Sequence, residues 1–105
     1  MPKKYRLTGD EMKTLSGKRF HGRFFSLLIA RAATDHPKFA VVVSKKVSLK
    51  AVERNKVKRR MRNALTKLRS HVQKPAALVL SAKADAKKAS YAELVRDIES
   101  LFSKL

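Results

Sequence analysis

Three short apolar runs along the chain predict β-strands. They occupy residues 24–31, 39–43 and 76–81, and each is bounded by turn residues or charged residues. Apolar runs of about four to eight residues are typical of buried strands, whereas a helix needs a longer pattern with a period of about 3.6 residues. The run 39–43 is almost wholly apolar, so we expect a strand buried on both faces. Residues 19–21 are a candidate backward extension of the first strand.

Two capping-box pairs indicate where the first and the last helix begin. Thr8 is followed by Glu11, and Ser90 by Glu93, at the spacing that lets each side chain bond to the backbone N–H of the other residue. Gly17 is expected to end the first helix, which is short. The last helix carries an apolar stripe that contains Tyr91, Leu94, Val95, Ile98, Leu101 and Phe102.

A longer helix is predicted between residues 51 and 72, where apolar residues recur every three or four positions. Pro75 follows it and disfavours its continuation. The helix joins the second apolar run to the third, which predicts a crossover between parallel neighbouring strands. The residues therefore indicate the order α-β-β-α-β-α: one α+β domain over residues 1–105, with a mixed sheet and helices mainly on one side. The stripe of the long helix contains Val57, Met61, Ala64, Leu65, Leu68 and Val72.

The charge of the chain indicates an anionic partner. Its 105 residues include 26 Lys plus Arg against 8 Asp plus Glu, a formal net charge of +18. A net charge of this size opposes a compact state unless a polyanion neutralises it. The 44% hydrophobic content nevertheless predicts a folded chain. The absence of cysteine excludes a disulfide scaffold, a cysteine-ligated zinc and a cysteine nucleophile.

Nucleic acid, an anionic membrane and an acidic protein all satisfy this charge. The longest apolar run, 24–30, has seven residues, whereas a membrane-spanning helix needs about 20. The sequence shows no secretion signal either, so we expect a cytoplasmic protein that makes no use of a membrane. A strongly basic protein in that compartment is most simply explained by nucleic-acid binding.

The positive charge is concentrated on the predicted long helix. Residues 44–70 hold 11 Lys and Arg but one acid, Glu53. A helix that is merely solvated usually mixes charges of both signs, so this composition favours a nucleic-acid interface. Guanidinium groups bind phosphate oxygens in a bidentate manner, and an asparagine amide can bond to a base edge or a ribose 2′-hydroxyl.

The centre of the chain resembles a known signature. Arg54-Asn55 and Lys58-Arg59, after Ser44-Lys45-Lys46-Val47 at the end of a strand, are similar to the signature of the bacterial ribonuclease P protein subunit. The resemblance extends over nearly the whole chain. It implies an αβββαβα fold, a two-layer sandwich similar to the second domain of ribosomal protein S5. It also implies a left-handed crossover, whereas about 98% of parallel crossovers are right-handed.

The resemblance implies a function as well. In this family the RNA subunit is the catalyst; it binds Mg²⁺ and cleaves precursor tRNA to free the mature 5′ end. The protein, with one copy per RNA, binds the catalytic RNA through the signature helix and holds the 5′ leader between the first helix and the sheet. No catalytic residue, metal ligand or cofactor is then expected in the protein itself. By match, the RNA-binding residues are Lys45, Lys46, Arg54, Asn55, Lys58, Arg59 and Arg62.

The leader-binding residues differ from the family pattern. Family members often have aromatic residues on the first helix and in the long strand, where this chain has Met12, Ser16 and Leu28. We expect leader binding to use Met12 and Phe24, Ser26 and Leu28, the last three sharing one strand face by alternation. Packing in the core is the alternative for each of them.

Other chemistry has little support in the sequence. The three histidines are scattered and the acids are few, so neither a zinc site nor a two-metal nuclease site is predicted. A ribosomal-type structural RNA-binding protein and a nonspecific DNA-compacting protein are the competing hypotheses.

Overall fold

The computed structural model describes residues 3–13, 15–31 and 35–105. The helices are α1 (Gly9–Lys13), α2 (Ala51–Leu68) and α3 (Tyr91–Phe102), and the strands are β1 (Lys18–His21), β2 (Phe25–Arg31), β3 (Lys38–Val42) and β4 (Ala76–Ala82). Single 3₁₀ turns cover Lys3–Tyr5, Arg69–His71 and Ala84–Lys87. The order of the helices and strands is αβββαβα, which confirms the predicted α+β class.

The four strands form one mixed sheet in the order β1-β2-β4-β3. β2 pairs antiparallel with β1 and with β4, whereas β3 pairs parallel with β4. Because α2 connects β3 to β4, the predicted crossover between parallel neighbours is confirmed. The hand of that crossover stays a prediction.

The helices α2 and α3 cover one face of this sheet. Leu27 and Leu80 face each other across β2 and β4, and both are fully buried. From the helices, Met61, Ile98 and Leu101 meet them with no exposed surface. The stripe predicted for each helix therefore forms the core, although Tyr91 and Val95 of α3 lie at its partly exposed margin.

The residues 18–21 form a separate strand, so their interpretation as an extension of β2 is wrong. The chain reverses at 22–24 between β1 and β2. The carboxylate of Asp97 on α3 stabilises this reversal by accepting backbone N–H groups of Arg23, Phe24 and Phe25 at 2.9, 2.9 and 3.1 Å. A sequence pattern cannot show this contact, because its partners are more than 70 positions apart.

Strand β3 is not buried on both faces as expected. Phe39 is buried, but Ala40, Val41 and Val42 remain partly exposed. The reason is position, because β3 is the edge strand of the sheet.

Both predicted capping boxes are present. Thr8 and Glu11 exchange bonds of 3.0 and 3.1 Å, and Ser90 and Glu93 exchange bonds of 3.0 and 3.2 Å. The bond from the backbone N–H of Thr8 is the largest cause that lowers the pKa of Glu11, and the backbone N–H of Ser90 does the same for the pKa of Glu93.

Two helix ends differ from the prediction. α2 ends at Leu68, and a 3₁₀ turn then brings the buried Val72 into the core. α1 ends at Lys13, four positions before Gly17. A Cβ at Gly17 would overlap the carbonyl oxygen of Ile29, so this glycine permits close approach of the chain to β2 and does not cap the helix.

Candidate nucleic-acid interface

The signature residues of α2 lie on one flank of the helix. Arg54, Lys58 and Arg62 follow one another at four-residue intervals, and Asn55 and Arg59 lie beside them. At about 100° per residue, these five side chains span an arc of roughly 140°. The arc adjoins the buried stripe on the side of Leu65, so the five residues do not point in unrelated directions.

The opposite flank of α2 is occupied by the protein itself. There Arg60 donates from Nη1 to the carbonyl of Ala89 at 3.2 Å. The ammonium of Lys67 lies 5.2 Å from the centroid of the Tyr91 ring. These contacts tie the second flank to α3 and the segment before it, although Lys56 and Lys67 there remain exposed, whereas no contact of this kind with α3 is found for the signature flank among the described residues.

Arg54 has a structural contact that the sequence did not predict. Its Nη1 donates to the backbone carbonyls of Ser48 and Leu49 at 2.9 and 3.0 Å. The Ser48 hydroxyl in turn donates to Glu53 at 2.9 Å and accepts from the N–H of Lys50 at 3.2 Å. The loop between β3 and α2 is thereby fastened to the first turn of the helix, and the position of Lys45 and Lys46 relative to the signature flank is set.

The predicted RNA-binding residues keep their charge accessible. Lys45, Lys46, Asn55, Arg59 and Arg62 are exposed, and Arg54 and Lys58 are partly exposed. Within the described ranges, the ion pairs use Lys13, His36, Lys38 and Lys87, so none of the seven residues is paired with a carboxylate. Glu53, the acid within this segment, is engaged by Ser48 and by Lys87 at 4.0 Å. Among the described residues, no carboxylate therefore neutralises the signature flank.

The sheet face opposite α2 and α3, which we call the open face, is lined by small and apolar residues. Leu28, Val79 and Ala40 form one row across β2, β4 and β3. A second row contains Ser26, Ser81 and Val42. Arg19 and His21 of β1 extend the two rows, and a third row contains Ala30, Ala77 and Lys38, whose ammonium lies 3.2 Å from the carboxylate of Glu11 on α1.

Ser26 and Leu28 share one strand face, as the alternation predicted, and that face is the open face; Ser26 is buried there, Leu28 is partly exposed, and Phe24 does not lie on it. Phe24 is 6% exposed, belongs to the main core and lines a cavity against Arg96 and Asp97 of α3. The expected alternation fails because Phe24 precedes the first residue of β2 and lies in the reversal bonded to Asp97.

Met12 lies near the signature helix. It lines a cavity of about 150 Å³ together with Ala40 and Val41 of β3 and Arg62 and Leu65 of α2. This cavity connects the β3 edge of the open face with the signature flank. Met12 is thus brought together with Arg62, which sequence reasoning had placed in a different group.

Sequence reasoning missed the contribution of β4 to the open face. Ala77, Val79 and Ser81 lie on the open face and alternate with Leu78 and Leu80, which face the helices; Ala77 and Val79 are buried as well, and Ser81 is partly exposed. That alternation of small and large residues was the available signal, because a strand packed against helices on one side needs its large residues on that side only.

Over residues 3–13, 15–31 and 35–105, no group of three His, Cys, Asp or Glu side chains is arranged to hold a metal ion. In the same part of the chain, no helix is long and apolar enough to cross a membrane.

Known protein sequences are similar to this chain over most of its length. The Ribonuclease P family model matches residues 1–105. The ribonuclease P protein component of a Picosynechococcus species is 31% identical over 104 residues, covering 96% of this chain and 90% of the relative. That of Thermus brockianus is 41% identical over 100 residues, covering 93% of this chain and 58% of the relative.

Solved structures show the same fold. A mutant of the Staphylococcus aureus RNase P protein superimposes with a TM-score of 0.86 at 25% identity, covering 96% of this chain and 87% of that one. The RNase P protein of Thermotoga maritima superimposes with a TM-score of 0.81 at 20% identity, covering 95% and 96%. The chain belongs to the family of bacterial ribonuclease P protein components.

Proposed function

We propose that this chain binds the catalytic RNA of ribonuclease P and the 5′ leader of precursor tRNA, and so assists removal of the leader. The observation that carries the proposal is the signature flank: five polar or cationic side chains within one arc, with no carboxylate partner in the described part of the chain. Membership in the family makes the protein a subunit of an enzyme with an RNA partner. It also favours this function over a ribosomal or DNA-compacting role.

The signature flank suits folded RNA. Arg59 and Arg62 are exposed and can bind phosphate oxygens through two parallel N–H groups. Asn55 lies between them on the arc and offers both donor and acceptor atoms, which suits a ribose 2′-hydroxyl. The side chains of A-form RNA binders reach phosphates and 2′-hydroxyls more readily than base edges in the deep major groove.

The open face is the proposed surface for the leader. Leu28 is partly exposed in its central row, Ser26 lies in the next row with only a small exposed fraction, and the cavity beside Met12 continues the face toward Arg62. Phe24 is left out because it is buried against α3. The bases of a leader lying across this face would contact its small and apolar side chains. The phosphates of the leader would lie near the cationic side chains at the margin of the face.

The proposed division of labour assigns Mg²⁺ and bond cleavage to the RNA. The chain has 8 acidic residues and an excess of 18 positive charges, so its main electrostatic effect is to neutralise phosphates. Counterions released from RNA favour assembly, and RNA whose phosphates are already neutralised needs less Mg²⁺ to fold. One-to-one assembly and a cytoplasmic location stay predictions.

Reconstitution tests this function. The protein is combined with ribonuclease P RNA, and cleavage of a precursor tRNA is followed at several Mg²⁺ concentrations. We expect no cleavage by the protein alone, and with RNA a lower Mg²⁺ requirement and tighter binding of precursor than of mature tRNA. Cleavage by the RNA-free protein, or RNA activity that is unchanged by the protein, would contradict the proposal.

A further inference from the structure

Two large apolar side chains at the start of α2 are almost fully exposed. Leu49 is 83% and Val52 is 81% exposed, and within the described residues no other large apolar side chain is classed as exposed. Single apolar residues on a surface need no explanation. These two, however, lie three positions apart within 44–62, a segment with nine Lys and Arg and one acid. We call Leu49 and Val52 the apolar tip.

The apolar tip continues the signature flank. On a helix, positions three and seven residues apart lie on the same side, so Val52 lies in line with Asn55 and Arg59. Leu49 precedes the helix, and its carbonyl accepts from Arg54 at 3.0 Å. Its backbone is therefore held in place while its side chain projects into solvent, which lowers the entropy cost of a contact made there.

Charge complementarity identifies the partner. An uncharged apolar protein surface would accept Leu and Val but would have to approach a segment with eight net positive charges. An anionic membrane would suit both features, but the family to which the chain belongs has an RNA partner. Folded RNA offers both chemistries together, because an unpaired nucleotide has an apolar base face beside an anionic phosphate. The cations around the tip match the phosphates, and the tip itself matches the base.

We propose that Leu49 and Val52 pack against the face of an unpaired nucleobase in the RNA partner. This inference rests on the proposed function and adds a nonelectrostatic contact to the same interface. A contact of this kind has a distinct signature: its loss weakens binding equally at all salt concentrations, whereas the loss of a phosphate contact reduces the salt dependence.

Binding of ribonuclease P RNA to the full chain across a salt series provides the test. The double variant L49S/V52S should bind about tenfold more weakly at every salt concentration, with an unchanged slope of log K against log[salt]. Its melting temperature should not fall, because the two side chains bury little surface in the folded protein. The conservative pair Leu49→Met and Val52→Ile should bind as the parent does. Ala92→Ser, an exposed change on α3, is the control for surface substitution.

Two results would overturn the inference. One is parent-like RNA binding by L49S/V52S while Arg59→Gln binds more weakly with a smaller slope; the apolar tip is then no RNA contact, and the proposed function stands. The other is a lower slope in L49S/V52S, which would assign the effect to displaced cations. If neither L49S/V52S nor Arg59→Gln changes RNA binding, the proposed interface on α2 fails as a whole.

Discussion

The absence of a side chain at Gly22 makes room for the carboxylate of Asp97 at the turn between β1 and β2. A Cβ at Gly22 would lie 2.7 Å from both carboxylate oxygens of Asp97. The absent side chain leaves room for that carboxylate to accept the three N–H groups of residues 23–25. One acid on α3 thereby sets the reversal that places β1 beside β2.

Replacement of Asp97 should therefore destabilise the fold. Asp97→Ala leaves three N–H groups without their charged acceptor, and we expect a loss of about 2–4 kcal/mol in the free energy of unfolding. Gly22→Ala should cost less, about 1–2 kcal/mol, since the carboxylate must move. Chemical denaturation of both single variants and of the double variant measures the coupling.

The double variant provides the sharper test. In the absence of the Asp97 carboxylate, Gly22→Ala has nothing to displace, so the two losses should not add. Gly9→Ala is the matched control, because a Cβ there meets no atom within 4 Å. Additive losses would show that Gly22 is required for some other reason.

Two lysines on opposite flanks of α2 should differ in their effect on RNA binding. Lys58 lies on the signature flank, whereas Lys67 lies over Tyr91 on the flank held against α3. If Lys58 contacts a phosphate, Lys58→Gln should reduce the slope of log K against log[salt] by about 0.7–0.9. Lys67→Gln makes the same change of net charge and should leave the slope nearly unchanged. Equal slopes for the two variants would mean that the helix binds through its overall charge and not through one flank.

The two capping boxes should make stability depend on pH in acid. The pKa values of Glu11 and Glu93 are lowered from 4.5, chiefly by the backbone N–H groups of Thr8 and Ser90. A carboxylate whose pKa is lower in the folded state stabilises the fold above its unfolded pKa. That contribution is lost as the pH falls below about 4.5 and through the folded pKa values.

The loss of stability in acid is measured by melting temperatures over a range of roughly pH 7 to pH 3, which extends below the ordinary pKa of both carboxylates. The variant E11Q/E93Q keeps a side-chain acceptor at each position but does not titrate, so its melting temperature should fall less in acid. Asp10 neighbours Glu11 on α1, and its carboxylate is almost fully exposed, so Asp10→Asn serves as the control. An acid dependence in E11Q/E93Q as steep as in the parent would assign the effect to other carboxylates.

An aromatic residue on the open face should strengthen leader binding. Leu28 is partly exposed in the central row of that face, and stacking of a base on an aromatic ring contributes about 1–3 kcal/mol. Leu28→Phe should therefore tighten binding of precursor tRNA and leave binding of mature tRNA unchanged. The difference between the two substrates is the measurement, and equal effects on both would remove the leader from this face.

Local sequence patterns predicted those features that depend on neighbouring residues. Both capping boxes, the stripes of α2 and α3 and the accumulation of cations on α2 involve positions within a few residues of each other, so spacing alone determines them. The set Arg54, Asn55, Lys58, Arg59 and Arg62 shares one flank for the same reason, since a helix repeats every 3.6 residues.

Contacts distant in the chain decided the rest. Phe24 does not lie on the predicted strand face, because its N–H is bonded to Asp97 in the reversal before β2. Strand β3 is partly exposed because it lies at the edge of the sheet. Gly17 is required because the backbone of Ile29 passes too close for a side chain, and not because a helix ends there. In each case the conformation of a residue depends on a partner that is distant in the sequence and comes close only in the folded chain. A pattern of neighbouring residues cannot identify such a partner.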